Sequence, residues 1–324
     1  MPEPVMQVEH LTMHYSTRKG DVHAVDDVTF DLYPGEVLGV VGESGSGKSS
    51  VAFTLMRLLP ENAHIKSGHI WMDGVDLLTL PEDEIRKYRW KRIAMIFQAA
   101  MNTLNPVYKV GDQIIEAMET HGVAYGDEAR KRVAELFEMV GLDPALMDRY
   151  PHEYSGGMRQ RAIIAMALSC DPDVLIADEP TTALDVIVQH RILKELLQLQ
   201  KRLNMAMVYI THDIAVVAEV STRIAVMYAG KIVEIGSTED IFLRPKHRYT
   251  EALLKAFPSI HGEKRTLLTI PGELPNLLDP PSGCRFHPRC AYATDICRTR
   301  EPENRTFNPG HLAACWHPVG EENA

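Results

Sequence analysis

Nowhere in the 324 residues does an apolar run approach the roughly 20 residues that a membrane-spanning helix needs. The opening Met1-Pro2-Glu3-Pro4-Val5 has no charged n-region followed by an apolar h-region, so no secretory signal is read. Positive charge is in deficit, with 34 Lys and Arg against 44 Asp and Glu, a net charge of −10. A chain whose main partner is a nucleic-acid backbone shows the opposite balance, so nucleic acid is not expected as a partner. The basic cluster Arg86-Lys87-Tyr88-Arg89-Trp90-Lys91-Arg92 sits among acidic neighbours and reads as a solvated face. Cysteine is scarce too: there are five, and four of them fall in the last 80 residues together with ten of the 20 prolines. No internal repeat or low-complexity tract is visible. The expectation is a soluble, cytoplasmic chain whose link to any membrane passes through a partner.

Against these absences, Gly42-Glu43-Ser44-Gly45-Ser46-Gly47-Lys48-Ser49 matches the phosphate-loop pattern G-x-x-x-x-G-K-[ST]. Its flanks fit: Glu36–Val41 reads as a short buried strand, and Ser50–Leu59 as a helix whose N-terminus faces the loop. Glycines let the backbone N–H groups wrap closely round phosphate. Lys48 would reach the β and γ phosphates, and the Ser49 hydroxyl would meet Mg²⁺. A second feature, Val174-Leu175-Ile176-Ala177-Asp178-Glu179, is an apolar strand ending in two carboxylates, where Asp178 would hold the Mg²⁺ shell and Glu179 polarise the attacking water. A third, Tyr154-Ser155-Gly156-Gly157-Met158-Arg159-Gln160-Arg161, precedes a helical run. It is another ready anion site, although taken alone it reads as a simple helix cap.

The organisation is α/β. Alternation at Val8, Leu11 and Met13, then Val22, Ala24, Val28, Phe30 and Leu32, predicts half-exposed antiparallel strands. Gly68–Gly74 and Ile93–Phe97 read as strands, and the pattern from about Asn105 to Ser169 is helical, with segments at Gln113–Met118 and Ala129–Val140. The apolar runs Val174–Ala177 and Met207–Ile210 are separated by a helix over Val186–Leu203, the β-α-β pattern of a parallel sheet. Strands at Ile224–Met227 and Ile232–Ile235 flank the turn Ala229-Gly230-Lys231. Beyond Pro245 a helix over Tyr249–Phe257 leads into an extended, Pro-rich appendage.

The order and spacing of these motifs, from about residue 5 to residue 240, resemble the ATP-binding cassette family, the nucleotide-hydrolysing subunits of ABC transporters. Gly42–Ser49 is similar to its Walker A motif, Val174–Glu179 to Walker B and Ser155-Gly156-Gly157 to the signature motif. Ala183-Leu184-Asp185 is similar to the D-loop, His212 in Thr211-His212-Asp213 to the switch histidine, and Gln98 after Ile96-Phe97 to the Q-loop glutamine. The resemblance implies a P-loop ABC nucleotide-binding domain over residues 1–244, with a RecA-like parallel-sheet core, an antiparallel β subdomain and a helical subdomain at about 105–169. A C-terminal appendage over 245–324 follows.

It further implies a head-to-tail pair of cassettes with two ATP molecules between them. Gly42, Ser44, Gly45, Gly47, Lys48, Ser49 and Ser50 would surround the phosphates, with Ser49, Asp178 and Gln98 about the Mg²⁺. Ser155, Gly156 and Gly157 of one chain, with Asp185, would close on the nucleotide held by the other. Glu179 would be the general base, His212 would hold γ-phosphate and water in line, and Tyr15 would stack on adenine. Met158 departs from the commonest signature residue, Gln, and Ala99-Ala100 from a more usual Asp-Pro after the Q-loop. Neither removes a group that touches phosphate.

Three local features resemble the importers of di- and oligopeptides, a branch that also includes nickel importers. They are Ser155–Arg161, Met101-Asn102-Thr103-Leu104-Asn105-Pro106, and the tail from His247–Leu254 to Pro271-Gly272-Glu273-Leu274-Pro275. The resemblance implies a second, different ATPase as partner, favoured over a homodimer, beneath two membrane-spanning permease subunits fed by an extracytoplasmic peptide-binding protein. The chain would then lie peripherally on the cytoplasmic face of the membrane. Cys284, Cys290, Cys297 and Cys315 offer four thiolates suited to Zn²⁺ or an iron–sulfur cluster, because a reducing compartment argues against disulfides. Subunits resembling this tail carry a [4Fe–4S] cluster, which is favoured over Zn²⁺; His287 and His317 are alternative zinc ligands. Competing readings are a soluble ABC ATPase acting on nucleic acid or ribosomes, a kinase-like P-loop enzyme, and an ATP-binding but inactive partner. A single cassette, the absence of a heptad tract and the acidic balance count against the first. The Ser-Gly-Gly motif counts against the second, and Glu179 with His212 against the third.

Overall fold

The computed structural model describes residues 3–98, 103–181, 184–256 and 270–321. Ala99, Ala100, Met101, Asn102, Ala183 and Phe257 lie outside the described residues. In chain order the elements are β1 (Met6–Thr17), β2 (Gly20–Leu32), β3 (Val37–Val41), α1 (Lys48–Leu55), β4 (Ala63–Met72), β5 (Val75–Asp76), α2 (Glu82–Tyr88), β6 (Ile93–Ile96), α3 (Val110–Thr120), α4 (Gly126–Met139) and α5 (Gly156–Ala167). There follow β7 (Val174–Asp178), α6 (Val186–Arg202), β8 (Ala206–Ile210), α7 (Ile214–Val220), β9 (Arg223–Tyr228), β10 (Lys231–Ser237), α8 (Thr238–Leu243), α9 (Arg248–Ala256), α10 (Asp295–Thr299), β11 (Arg305–Asn308) and β12 (His311–Ala313). The chain divides into two compact units. One gathers the residues up to Met6, Leu32–Glu36 and Met72–Tyr209; the other gathers Gln7–Asp31, Val37–Trp71 and everything from Ile210 onward.

In the second unit, β1 lies between β2 and β4, pairing antiparallel with β4. Val8, Leu11 and Met13 are fully buried on one face. The three-residue step from Val8 to Leu11 breaks strict alternation because the ladder shifts register between Glu9 and Thr12, where His10 adopts φ 51°. An extra residue at such a bulge restores the inward set on the far side. The other sheet of this unit runs β11-β12-β10-β9-β3. β3 pairs parallel with β9, and the remaining pairs are antiparallel. All five residues of β3 are buried, as expected of a strand covered on both faces.

The tail is less extended than its proline content predicts. Its strands β11 and β12 form a hairpin that adds to β10, with Glu234 opposite Ala313 and Ile235 opposite Leu312. A local reason is a buried contact: His311 Nε2 lies 2.7 Å from Glu234 Oε1, and both side chains are inaccessible to solvent. The same carboxylate accepts the backbone N–H groups of Lys246 and His247 at 2.7 and 2.8 Å.

In the first unit, β6 pairs parallel with β7 from Ile93 opposite Val174 to Ile96 opposite Ala177, and β8 neighbours β7. β7 and β8 are buried throughout. α5 is buried nearly all round, but α3 and α4 each bury a single stripe. In α4 it comprises Ala129, Val133, Leu136 and Phe137, and in α3 Val110, Ile114, Ala117 and Met118, the i, i+4, i+7, i+8 spacing of a core-facing helix.

Candidate functional site

The residues singled out in the sequence fall into two groups, one in each unit. In the unit beginning at Gln7, the chain leaves β3 and turns into α1 through Gly42–Gly47. Two glycines are required by their surroundings. A Cβ on Gly47 (φ 103°) would sit 2.1 Å from the Ala24 carbonyl oxygen, and one on Gly42 would sit 2.1 Å from that of Met227. No other residue leaves room for such close backbone approach. The Lys48 ammonium folds back over the loop and donates to the Gly42 and Glu43 carbonyl oxygens at 2.8 and 2.9 Å. The loop is braced by Gly230 N–H, which donates to Ser46 O at 2.8 Å.

Tyr15, on β1, comes to the same place: its hydroxyl lies 3.3 Å from Ser50 Oγ, in the first turn of α1. Its ring is half-buried and stands beside the loop. Thr211 N–H approaches Val40 O in β3 at 3.4 Å, which puts the exposed His212 one residue further along, near the strand that leads into the loop. Asp213 then caps α7, accepting from Ala215 N–H and Val216 N–H.

In the other unit, Asp178 ends β7 at 1% exposure. Glu179 follows in the left-handed region at φ 47°, a conformation that non-glycine residues rarely hold without a surrounding structure that dictates it. Its carboxylate accepts the Gln98 side-chain amide at 2.9 Å. Ser155 is the N-cap of α5, its hydroxyl accepting from Met158 N–H at 3.3 Å, and Gly156 and Gly157 open the helix. The side-chain amide of Gln160 donates to the Pro180 carbonyl just beyond Glu179, tying α5 to the end of β7. A Cβ on Gly157 would lie 2.9 Å from Val188 Cγ1, and Val188 N–H is the one that the Asp185 N-cap accepts at 3.0 Å. So Ser155, Gly157 and Asp185 meet in one corner of this unit, and Gln98 meets Glu179 in another.

The four tail cysteines are free thiols, with Cys297 and Cys315 buried and Cys284 and Cys290 half-buried. Cys284 N–H donates to Cys297 O at 2.8 Å. Burial pushes the Cys284 thiol up to about 12, and the other three cysteines push it the same way. The thiols therefore gather within electrostatic reach of one another as a soft donor set. Among the described residues, however, no group of three or more His, Cys, Asp or Glu side chains is placed to hold a metal ion, so the expected metal site at Cys284, Cys290, Cys297 and Cys315 is not formed here as a closed ligand shell. The histidine alternatives are engaged elsewhere. His317 Nε2 lies 2.7 Å from Thr294 Oγ1, and His287 Nδ1 lies 3.0 Å from the Cys284 carbonyl.

Two residues at the phosphate loop have no signal in the sequence. The Tyr249 hydroxyl accepts Glu43 N–H at 3.0 Å, and the Arg289 guanidinium grips the Glu43 carboxylate at 2.6 and 3.0 Å. They are 206 and 246 residues away along the chain, and only the folded sheet brings them there.

A phosphate loop closed by its lysine, a strand ending in Asp178-Glu179 and a Ser-Gly-Gly helix cap define an ATP-hydrolysing cassette, and comparison with known proteins agrees. Residues 25–182 match the ABC transporter model, and the chain belongs to that family. More narrowly, residues 233–297 match the oligopeptide/dipeptide transporter C-terminal region. The chain is 47% identical over 321 residues to the oligopeptide transport ATP-binding protein OppD of Escherichia coli, covering 98% of this chain and 95% of that one. It is 44% identical over 319 residues to the dipeptide transport ATP-binding protein DppD of Escherichia coli, covering 98% of each. Among solved structures, the ATP-binding cassette MJ0796, a dimer in a post-hydrolysis state bound to ADP and Pi, is similar at a TM-score of 0.64 and 28% identity. That match covers 72% of this chain and 98% of that one.

Proposed function

We propose that this chain hydrolyses ATP to energise the import of di- and oligopeptides across the cytoplasmic membrane, working through membrane-spanning partner subunits. The observation that carries this reading is the joining, in one chain, of an ABC cassette to a tail of the oligopeptide/dipeptide transporter type. No helix among the described residues is long and apolar enough to cross a membrane, so translocation needs partners that do. In this reading the chain sits peripherally on the cytoplasmic face. It pairs with a second ABC ATPase, a different chain rather than a copy, and receives cargo through an extracytoplasmic peptide-binding protein. The cassette occupies residues 1–244 and the appendage 245–324.

The chemistry follows from the groups present. Gly42–Ser50 would cradle the phosphates, and Lys48, now folded onto the Gly42 and Glu43 carbonyls, would exchange those acceptors for phosphate oxygens. Ser49, Asp178 and Gln98 are the residues to hold Mg²⁺, which supplies charge neutralisation at the β and γ phosphates. Glu179 would take the proton of the attacking water, and His212 would keep water and γ-phosphate in line. Tyr15 would carry the adenine, while Ser155–Gly157 and Asp185 would face the partner cassette's nucleotide.

The four tail thiols are assigned to a [4Fe–4S] cluster rather than Zn²⁺. That assignment follows the resemblance of this tail to subunits that carry one, four cysteine thiolates being the ordinary ligand set of such a cluster. In this reading the cluster fastens the appendage and takes no part in hydrolysis. Iron and acid-labile sulfide in anaerobically purified protein are the expected finding; zinc alone, or no metal, would overturn the assignment.

The function itself is tested by recovering the complex from native membranes through a tag on this chain and reconstituting it with its binding protein. ATP hydrolysis stimulated by peptides, and not by nickel complexes or sugars, is the expected result. Recovery of no membrane-spanning partner, or a rate indifferent to every solute, would overturn it.

A further inference from the structure

The phosphate loop carries one carboxylate, Glu43, in the place where a polyphosphate must bind. A fixed negative charge there opposes the ligand, yet the structure handles it in a specific way. Arg289 donates to both Glu43 oxygens, from Nη1 at 2.6 Å and Nη2 at 3.0 Å, in the parallel fork that suits a carboxylate. The fork is itself fixed. Arg289 Nε donates to Pro271 O at 2.8 Å, and Nη1 also reaches the Tyr228 hydroxyl at 3.3 Å. Only 5% of the Arg289 side chain is exposed. Behind it, Tyr228, Tyr249 and Phe286 pack ring against ring at 4.5–5.3 Å. Glu43 is thus held at three points: its side chain by Arg289, its N–H by Tyr249, and its carbonyl by Lys48. One turn earlier in the tail, Arg285 donates to Ala229 O and pairs with Asp26, beside the Gly230 N–H that braces Ser46. Arg289 thus holds the loop directly, and Arg285 holds the Ala229–Gly230 turn that braces it.

We propose that Arg289 of the C-terminal tail is a positioning residue for nucleotide binding: by pairing with Glu43 it neutralises the loop's only carboxylate and fixes the loop's first turn to receive a polyphosphate. This rests on the loop binding ATP. It makes the tail part of the nucleotide site rather than a separate adornment, and it sets a charge signature that packing alone does not produce. Without Arg289, the Glu43 charge should penalise ligands in proportion to their phosphates.

The test is equilibrium binding of a fluorescent, slowly hydrolysed ATP analogue with Mg²⁺, the matching ADP and adenosine, to the whole 324-residue chain. Arg289→Ala is expected to weaken the triphosphate about tenfold, the diphosphate less and adenosine least, through an unscreened carboxylate near the phosphates. Adding Glu43→Gln to that variant should return triphosphate affinity to within about twofold of the starting protein, because the repelling charge has gone. Glu43→Gln alone, which keeps the buried arginine, should tighten the triphosphate and leave adenosine unchanged; it serves if Arg289→Ala fails to fold. Equal losses for all three ligands, no recovery in the double variant, or Glu43→Gln without effect would overturn the proposal. Failure of the unaltered chain to bind any nucleotide would overturn the ATP-binding reading with it.

Discussion

Gln98 donates its side-chain amide to the Glu179 carboxylate at 2.9 Å, joining the second residue after β6 to the first after β7 across 81 positions of sequence. The parallel register of the two strands, Ile96 opposite Ala177, brings both tips to the same level. The bond fixes the carboxylate at a residue whose backbone is already in an uncommon conformation.

Glu179→Gln keeps the shape and the hydrogen-bonding capacity but removes the proton acceptor. Turnover should fall by roughly 10²–10⁴-fold, the usual contribution of a general base, while ATP binding is retained. Single-turnover hydrolysis beside equilibrium nucleotide binding checks this. A variant that hydrolyses ATP at the starting rate would remove Glu179 from the role of base.

Gly47→Ala adds one methyl group where none fits. At φ 103° an alanine is strained, and its Cβ would meet the Ala24 carbonyl at 2.1 Å, a backbone atom that cannot swing aside. The loop must shift, so nucleotide affinity should fall at least tenfold even where circular dichroism shows a folded chain. Gly45→Ala is the contrast. An added Cβ there meets nothing within 4 Å, so its cost is limited to backbone strain, and affinity should fall less.

Glu234→Ala tests the anchor of the tail. It leaves His311 buried and strips the acceptor from the Lys246 and His247 N–H groups. Leaving buried donors without their acceptor costs about 1–3 kcal/mol. Denaturant unfolding should show that loss, and proteolysis should release the tail first. A change below about 1 kcal/mol would mean the hairpin is held by other contacts.

What the sequence made legible follows the range of its signals. The phosphate loop, the Asp178-Glu179 strand end and the Ser155 cap are local patterns whose chemistry needs neighbours within a few residues. The stripes of α3, α4 and α6 and the all-apolar β7 and β8 are likewise local periodicities. The bulge at His10 was not legible, because one extra residue turns an alternating strand into a spacing that fits no simple period. The tail strands escape a reading of the sequence for a related reason. β11 and β12 are four and three residues long and owe their existence to pairing with β10 and to Glu234 beneath them. Proline and cysteine content said nothing of that partner. The Arg289–Glu43 contact lies furthest out of reach, since no local rule links positions 246 residues apart.

His247 gives the tail a pH dependence of known sign. It is the N-cap of α9: its Nδ1 accepts Tyr249 N–H at 3.0 Å, so the neutral ring carries its proton on Nε2. That Nε2 is buried without a hydrogen-bond partner among the described residues. Burial lowers the imidazole from 6.5 to about 4, with Glu234 opposing the shift. Protonation must therefore break the cap and charge a buried ring, whereas in the unfolded chain it costs neither. Stability from this group is fully present above pH 6.5 and is lost as the pH falls from there toward 4, at up to about 1.4 kcal/mol per pH unit. Asn at this position keeps an oxygen to accept Tyr249 N–H and cannot titrate. Thermal unfolding of the starting protein and of His247→Asn between pH 7.5 and 4.5 should give curves that diverge below about pH 6.5, the variant falling less steeply. Parallel curves would show that His247 reaches water, or a partner, before it protonates.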